Sequence, residues 1–410
     1  MTIEIGQSGA SNQAERLKAD IRRLASLPLE EARPLPGAAY TDHAFLEEEL
    51  GNLFRKEWVC MGREAQIKKP GDYLTIEIDK HSVFAMRQID GSIRAFSNVC
   101  LHRFSQLLQG EGHVPGPISC PYHAWSYSRE GKLLATPHTT KLKDQACGEG
   151  TPQLREYHAE VWEGFLFVTL NPDPQPLRDS LRGLDEHLVH FEPRYLDHGT
   201  MHEEVWEVNW KALTENFIES YHLFRIHPKT LEPICPTLGC TMVDGGDAYA
   251  IHFCECYAPS DVPLPSGRPD VPEAQRAMLY DFVVFPSFVA SGRFDFVWWM
   301  SLLPEGPEKV KVRWGVAVGP MVEGDDGWLA RVTTFDRLVD TAIQEDKAAL
   351  LGVMRGLRAS PDQAGYLVEL EQPLWEFQRY LDRKLNGTDT QLAVHTSVTE
   401  VVTLATAKAP

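Results

Sequence analysis

The chain has 410 residues, 43% of them hydrophobic, and a formal net charge of −18. That length supports a large core and more than one domain. The acidic charge excludes nucleic acid and anionic membrane as partners held by bulk electrostatics, and no run of the sequence reaches the roughly 18 apolar residues of a membrane span. The opening stretch "MTIEIGQSGASNQAERLKAD" contains no apolar segment of the secretory type, so a cytoplasmic protein is expected. Its eight cysteines are then expected to stay reduced or to bind metal rather than to pair as disulfides.

Taken in chain order, Leu17, Ile21 and Leu24 recur at helical spacing and predict a helix over 12–26, with Asn12 and Glu15 as a capping box. A second helix is expected over 42–57, with Thr41 as its N-cap. From Trp58 the period changes to two: "YLTIEID", "HSVFAMRQ" and "SIRAFSNV" read as strands separated by "KPGD" and "DG". This β-rich stretch runs to "GFLFVTLNP", where Pro172 and Pro174 mark a boundary. Farther on, "NWKALTENFIESYHLF" (209–224) reads as a helix. "YDFVVFPSFVAS", "FDFVWWMSLLP" and "EKVKVRWGVAVGP" read as antiparallel strands, and 340–357 and 372–387 as helices, the last stopped by Gly387. Strand runs followed by helix runs predict an α+β fold. The expected division is 1–57 as N-terminal helices packing with the last domain, 58–170 as a β domain, and 171–410 as a larger domain.

The first chemical signal is "CLHRFSQLLQGEGHVPGPISCPYH". Cys100 and His102 form one half-motif, Cys120 and His123 the other, with seventeen residues between His102 and Cys120. Structural zinc usually pairs Cys with Cys and His with His. One of each on either loop suits a [2Fe–2S] centre in which two Cys hold one iron and two His the other, although zinc remains the alternative reading. His113, between the loops, reads as a solvated residue. Cys100-Leu101-His102-Arg103 and Cys120-Pro121-Tyr122-His123-Ala124-Trp125 resemble the CxHR and CPYHxW signatures of the Rieske non-haem iron oxygenases. Phe104 and Ala124 depart from that pattern, standing where glycine is common.

The second signal is "NWKALTENFIESYHLFRIHP". Glu219 and His222, three apart, are expected on one helix face. His222 and His227, five apart, would diverge on a regular helix, so the helix is expected to loosen or end between them, helped by Pro228. Two His and one carboxylate make a facial triad for Fe(II). Asp346 is the candidate third ligand and Glu345 the runner-up; the bland alternative for Asp346 is an acid in the first turn of a helix. The segment resembles the family's NWK…EN…[DE]xxHxxxxH, here Asn209, Trp210, Lys211, Glu215, Asn216, Glu219, His222 and His227, with its distal carboxylate at Asp346.

The resemblance extends over about 38–386 and implies a β-rich Rieske domain followed by a helix-grip-like catalytic domain with an antiparallel sheet. It implies a [2Fe–2S] cluster and a mononuclear Fe(II) that together activate O2 to oxidise a small organic substrate, aromatic or heteroaromatic. Glu219, where many aromatic-ring dioxygenases carry Asp, also resembles members that demethylate carnitine or glycine betaine. A Rieske electron carrier is the remote alternative. The resemblance further implies a homotrimer in which Glu219 links His222 to the cluster ligand His123 of the adjacent subunit. A separate reductase carrying flavin and an iron–sulfur cluster would supply electrons.

Trp298, Trp299, Tyr249, Tyr257, Tyr280 and Phe282 are candidates for a substrate pocket, although core packing accounts for most, and Trp298 and Trp299 must face opposite ways on a strand. Arg225, Lys229 and Arg293 are candidates for a substrate carboxylate, with surface charge as the plainer reading. Cys235, Cys240, Cys254 and Cys256 read as buried thiols.

Overall fold

In the computed structural model, which describes residues 4–138, 150–256, 271–319, 326–360 and 365–387, the alternation that begins after Trp58 folds into ten strands. They are β1 (Val59–Arg63), β2 (Asp72–Ile78), β3 (His81–Arg87), β4 (Ile93–Ser97), β5 (Glu111–His113), β6 (Ile118–Ser119), β7 (Ser126–Tyr127), β8 (Leu133–Ala135), β9 (Glu156–Trp162) and β10 (Phe165–Thr169). All belong to one compact unit, Phe54–Leu177. Seven pair in the order β1-β10-β9-β4-β3-β2-β5, and β6, β7 and β8 form a small second sheet. Phe84, Phe96, Ile118, Tyr127 and Leu133 fill its core, and Cys100 and Cys120 are members of that core rather than of the surface. His113 is exposed on β5 and bonded to Asp72 at 2.8 Å. Cys147 lies outside the described residues.

The second unit joins Met1–Leu53 to Arg178–Pro410. Its strands are β11 (His198–Gly199), β12 (His202–Trp206), β13 (Cys240–Met242), β14 (Tyr249–Glu255), β15 (Met278–Val284), β16 (Phe288–Gly292), β17 (Phe296–Gly306) and β18 (Lys309–Val318). They form an antiparallel sheet in the order β11-β18-β17-β16-β15-β14-β13, with β12 also on β18. The helices that matter here are α1 (Glu4–Ala25), α2 (His43–Glu49), α3 (Trp210–Phe217), α4 (Leu223–Ile226), α5 (Trp328–Ala359) and α6 (Gln372–Asn386). The expected α+β class is met. Among the described residues no helix is long and apolar enough to cross a membrane.

Three expected boundaries move. The first helix starts at Glu4, so Asn12 lies inside it and caps nothing. Asp42, not Thr41, caps α2: its backbone is extended and its carboxylate accepts the Phe45 N–H at 2.8 Å, whereas Thr41 ends a short preceding turn, Ala38–Thr41. The chain beyond α2 continues as a π-helical turn, Leu50–Phe54. At the other end Gly387 takes φ 66°, the left-handed cap that ends α6.

A buried ion pair ties α2 to α3. Lys211 Nζ lies 2.6 Å from Glu49 Oε1, with both side chains sealed from solvent, and the Trp210 indole N–H donates to Glu49 Oε2 at 3.0 Å. Burial pushes the Glu49 carboxyl up, and Lys211 opposes that shift. Removing either charge alone would strand the other, at about 3–5 kcal/mol. On the opposite side α5 packs on the sheet through Val332 and Phe335 against Val318 and Phe296.

Candidate metal centres

The two half-motifs of the β domain occupy matching turns. In each, the residue four after the cysteine returns its N–H to the cysteine carbonyl: Phe104 to Cys100 and Ala124 to Cys120, both at 3.0 Å. Each needs a left-handed backbone there, φ 61° at Phe104 and 56° at Ala124. That is the conformation glycine adopts at no steric cost, which is why glycine is common at these two positions of the family pattern, and Phe104 and Ala124 adopt it at a steric cost. The turns leave Cys100 and Cys120 buried and His123 exposed. The rings of His102 and His123 lie 4.7 Å apart, and His102 stacks on Trp125. Tyr127 approaches the Cys100 Sγ at 3.2 Å. Burial raises the Cys120 thiol, but the backbone N–H groups of Tyr122 and His123 outweigh it and bring the pKa below the usual range. Two buried sulfurs, one of them favoured as thiolate, and two imidazoles at one edge fit an iron–sulfur group held by both loops.

The second centre is assembled from distant parts. Asn209 caps α3, its side chain accepting the Lys211 N–H at 2.8 Å. The helix then stops at Phe217, upstream of where the sequence predicted a break. Glu219 and His222 therefore do not share a helix face. Instead Glu219 folds over the turn: its carboxylate accepts the N–H groups of Tyr221 and His222 and holds His222 Nδ1 at 2.6 Å. One turn of helix, α4, then carries the chain from His222 to His227, which leaves helical geometry at ψ 40° before Pro228. The two rings end 5.2 Å apart.

Asp346 comes from α5. The helix begins at Trp328, so Asp346 lies in its middle, not in a first turn. It is 2% exposed and lies in the buried stripe Val339, Ala342, Ile343, Asp346, Leu350. An acid in the apolar stripe of a helix is the sequence signal that sets Asp346 apart from a solvated helix acid. Asp346 Oδ1 lies 3.0 Å from His227 Nε2 and 3.4 Å from His222 Nε2, and accepts the Asn216 amide at 3.0 Å. One ligand atom from each of the three falls within 4.8 Å of the others. Glu345 points elsewhere: it holds His227 Nδ1 at 2.8 Å and accepts the Thr230 hydroxyl at 2.6 Å.

Both imidazoles thus donate Nδ1–H to a carboxylate and turn Nε2 toward Asp346. This arrangement fixes tautomer and ring orientation in metal-ligating histidines. Burial alone would push His222 down, but Glu219 and Asp346 outweigh it and hold it at about 10. His227 is likewise raised by Asp346 against burial. The pocket is electronegative and suits a cation. Two imidazoles and one carboxylate on one side, with a cavity of about 350 Å³ on the other, fit the donor set of mononuclear ferrous iron.

Phe217, Leu231, Phe296, Trp298, Phe335 and Val339 line that cavity. Of the proposed aromatic lining, only Trp298 takes part. Trp299 faces the other side of β17, and Tyr249, Tyr280 and Phe282 are buried away from it; Tyr257 lies outside the described residues. Arg225 and Lys229 are exposed, but Arg293 is not a surface charge: it is buried at the cavity wall, donating to both carboxylate oxygens of Asp295 at 3.0 and 2.5 Å. Cys240 and Cys254 are joined as a disulfide, contrary to the expected free thiols. Their strands make them directly opposed partners on β13 and β14; expectation from compartment alone overlooks such a neighbour. Cys235 and Cys256 remain free and buried, 3.8 Å apart. Asp281 also lines the cavity, and no motif in the sequence marks it.

The catalytic domain of ring-hydroxylating alpha subunits matches residues 186–387, and the Rieske [2Fe-2S] domain matches 57–148. The chain carries a Rieske domain and a ring-hydroxylating alpha catalytic domain. Its cofactors are those of the family, a Rieske [2Fe-2S] cluster and a mononuclear iron. The carnitine monooxygenase oxygenase subunit of Escherichia coli (strain K12) is 34% identical over 202 residues, which cover 48% of this chain and 53% of that relative. The match therefore spans about half the length of that curated relative. A solved quaternary ammonium Rieske monooxygenase shares the fold with a TM-score of 0.73 at 20% identity, over 90% of this chain and 98% of the other. Naphthalene 1,2-dioxygenase from Rhodococcus sp. does so with a TM-score of 0.74 at 20% identity, over 92% and 100%.

Proposed function

We propose that this chain is the terminal oxygenase component of a Rieske non-haem iron system. Cys100, His102, Cys120 and His123 hold the [2Fe–2S] cluster, and His222, His227 and Asp346 hold Fe(II). The Rieske domain spans 58–170 and the catalytic domain 171–410, with 1–57 packed on the latter. The observation that best supports this is the convergence of two Nε2 atoms and one carboxylate at the wall of a 350 Å³ cavity. When bound, the cluster supplies electrons and the iron an open face for O2. The chain's own groups do the rest. Glu219 and Glu345 hold the two imidazoles by Nδ1, and Asn216 fixes Asp346. The apolar walls keep bulk water from the reacting groups.

The proposed reaction is hydroxylation of a small aromatic or heteroaromatic molecule, supported by Phe217, Phe296, Trp298 and Phe335 around the cavity. A second reading, oxidative N-demethylation of a quaternary ammonium compound, is favoured by the carnitine monooxygenase subunit among the relatives. Electrons come from a separate reductase with flavin and iron–sulfur groups. The working form is a homotrimer in which Glu219 connects His222 to the partner subunit's His123; the inter-subunit electron transfer of the solved quaternary ammonium monooxygenase supports this. We place it in the cytoplasm, where Cys100 and Cys120 stay reduced for cluster assembly and the Cys240–Cys254 disulfide is an exception. The test is turnover with reductase and O2 across both substrate classes, followed by product mass. Added oxygen or released formaldehyde is expected; reduction of the cluster without any oxidised product would leave only an electron carrier.

A further inference from the structure

The sheet face beneath the cavity carries a row of opposed residues. Strand register places His252 opposite Asp281, Asp281 opposite Ser291, and Ser291 opposite Trp298. Asp281, Ser291 and Trp298 all line the cavity shared with His222, His227 and Asp346. The row adjoins the segment that carries the histidines: Ser220 Oγ lies 2.8 Å from His252 Nε2, and the rings of Phe217 and Trp298 are 5.0 Å apart.

The charged groups lining this cavity are not balanced. Glu219 is bound to His222, and Asp346 faces both histidines. The Arg293 guanidinium is matched by Asp295 through two hydrogen bonds. Asp281 has no such hydrogen-bonded cation: His222 acts on it through space and lowers its pKa, but that ring is already held by Glu219 and Asp346. Ser291 hydrogen-bonds it, the Cys254 sulfur lies 4.0 Å away, and His252 Nε2 lies at 3.5 Å. His252 is no counter-ion, because burial pushes its pKa to about 4 and leaves the ring neutral. Burial in turn pushes Asp281 up to about 7. A mostly desolvated carboxylate costs several kcal/mol unless a cation reaches it. The side chain retains 17% exposure, so the cavity is the side from which a cation arrives.

The cavity walls suit the same guest. Phe217 with Trp298, and Phe296 with Phe335 at 4.4 Å ring separation, put aromatic rings in the cavity lining, and such rings attract a positive group. We propose that Asp281 is the specificity-determining residue of this cavity: it binds a positively charged nitrogen, so the substrate is an organic cation rather than a neutral or anionic molecule. This rests on the oxygenase reading above and selects the second of its two substrate classes over a neutral aromatic molecule, since a group carried on that nitrogen shares the cavity with His222, His227 and Asp346.

The experiment uses the holoprotein and two probes of one shape, choline and 3,3-dimethylbutan-1-ol, which differ by a cationic nitrogen in place of a carbon. Calorimetric titration should show choline binding at least about tenfold tighter, the ratio that about 1.4 kcal/mol of charge and cation–π attraction produces. Asp281→Asn should bring the ratio close to one, and Asp281→Glu should retain part of the preference. Equal affinities in the wild type, or an unchanged preference in Asp281→Asn, would overturn the proposal. The wild-type comparison decides even if the variants fold poorly. Iron content is measured on the same samples: a wild type with cluster iron alone that still prefers choline would sink the oxygenase reading and leave the cation site standing. Full iron with equal affinities would do the reverse.

Discussion

Cys100, His102, Cys120 and His123 lie within 24 consecutive residues on two short turns, whereas His227 and Asp346 are 119 positions apart and meet only because α5 docks beside α4. The first centre is built by backbone: each turn is closed by one N–H to the cysteine carbonyl and one left-handed residue. The second is built by side chains: Glu219, Glu345 and Asn216 each fix one member of the triad. Local construction allows a site to sit at a surface edge, with His123 in solvent. Long-range construction brings burial, and with it the strong carboxylate–imidazole coupling that holds His222 at about 10. The two centres should therefore fail separately and by different routes.

The largest effects come from removing a ligand at either place. Asp346→Ala should abolish turnover while leaving the visible absorption of the cluster intact, because Cys100, His102, Cys120 and His123 belong to a different compact unit from α5. Cys100→Ser should erase that absorption while ferrous iron still loads elsewhere. Loss of both signals in either variant would mean the centres are not independent. Glu219→Gln is next. It keeps size and removes charge, so both metals should still load, but cluster reoxidation after substrate and O2 are added to the reduced protein should slow by orders of magnitude. A wild-type rate would reduce Glu219 to a local cap of the turn.

Smaller effects sharpen the contrast. Glu345→Ala frees His227 Nδ1 and should weaken iron binding by about 10–100-fold without touching the cluster; metal titration against a chelator reads this. The smallest change is expected at Phe104, which is exposed and held at φ 61°. Phe104→Gly should relieve roughly 1 kcal/mol of backbone strain, partly offset by the freedom glycine gains when unfolded. A small rise in the unfolding midpoint with an unchanged cluster spectrum is the expected outcome.

The same contrast governs what the sequence disclosed. Cys100 to His123 was legible because ligand spacing within a turn is a local property. His222 and His227 were legible as a pair through Pro228, but the helix end at Phe217 was not, since it depends on Glu219 accepting two backbone N–H groups after the turn has formed. Asp346 is legible as a candidate ligand, but its place in the middle of the helix is not, because α5 begins twelve residues before the predicted start at 340. Asp281 and the Cys240–Cys254 pair were invisible for one reason: each is defined by a partner across a strand, and register appears only when the sheet is assembled.

The central claim is that His222, His227 and Asp346 hold ferrous iron with a face open to small molecules. Nitric oxide tests it most directly, since it binds high-spin ferrous iron at an open position and gives a distinct electron paramagnetic resonance spectrum. The wild-type protein with its cluster oxidised should give that nitrosyl spectrum at one iron per chain, beyond the two of the cluster, and Asp346→Ala should lose it while keeping full cluster iron. An undiminished nitrosyl signal in Asp346→Ala, or none in the iron-replete wild type, would contradict the account.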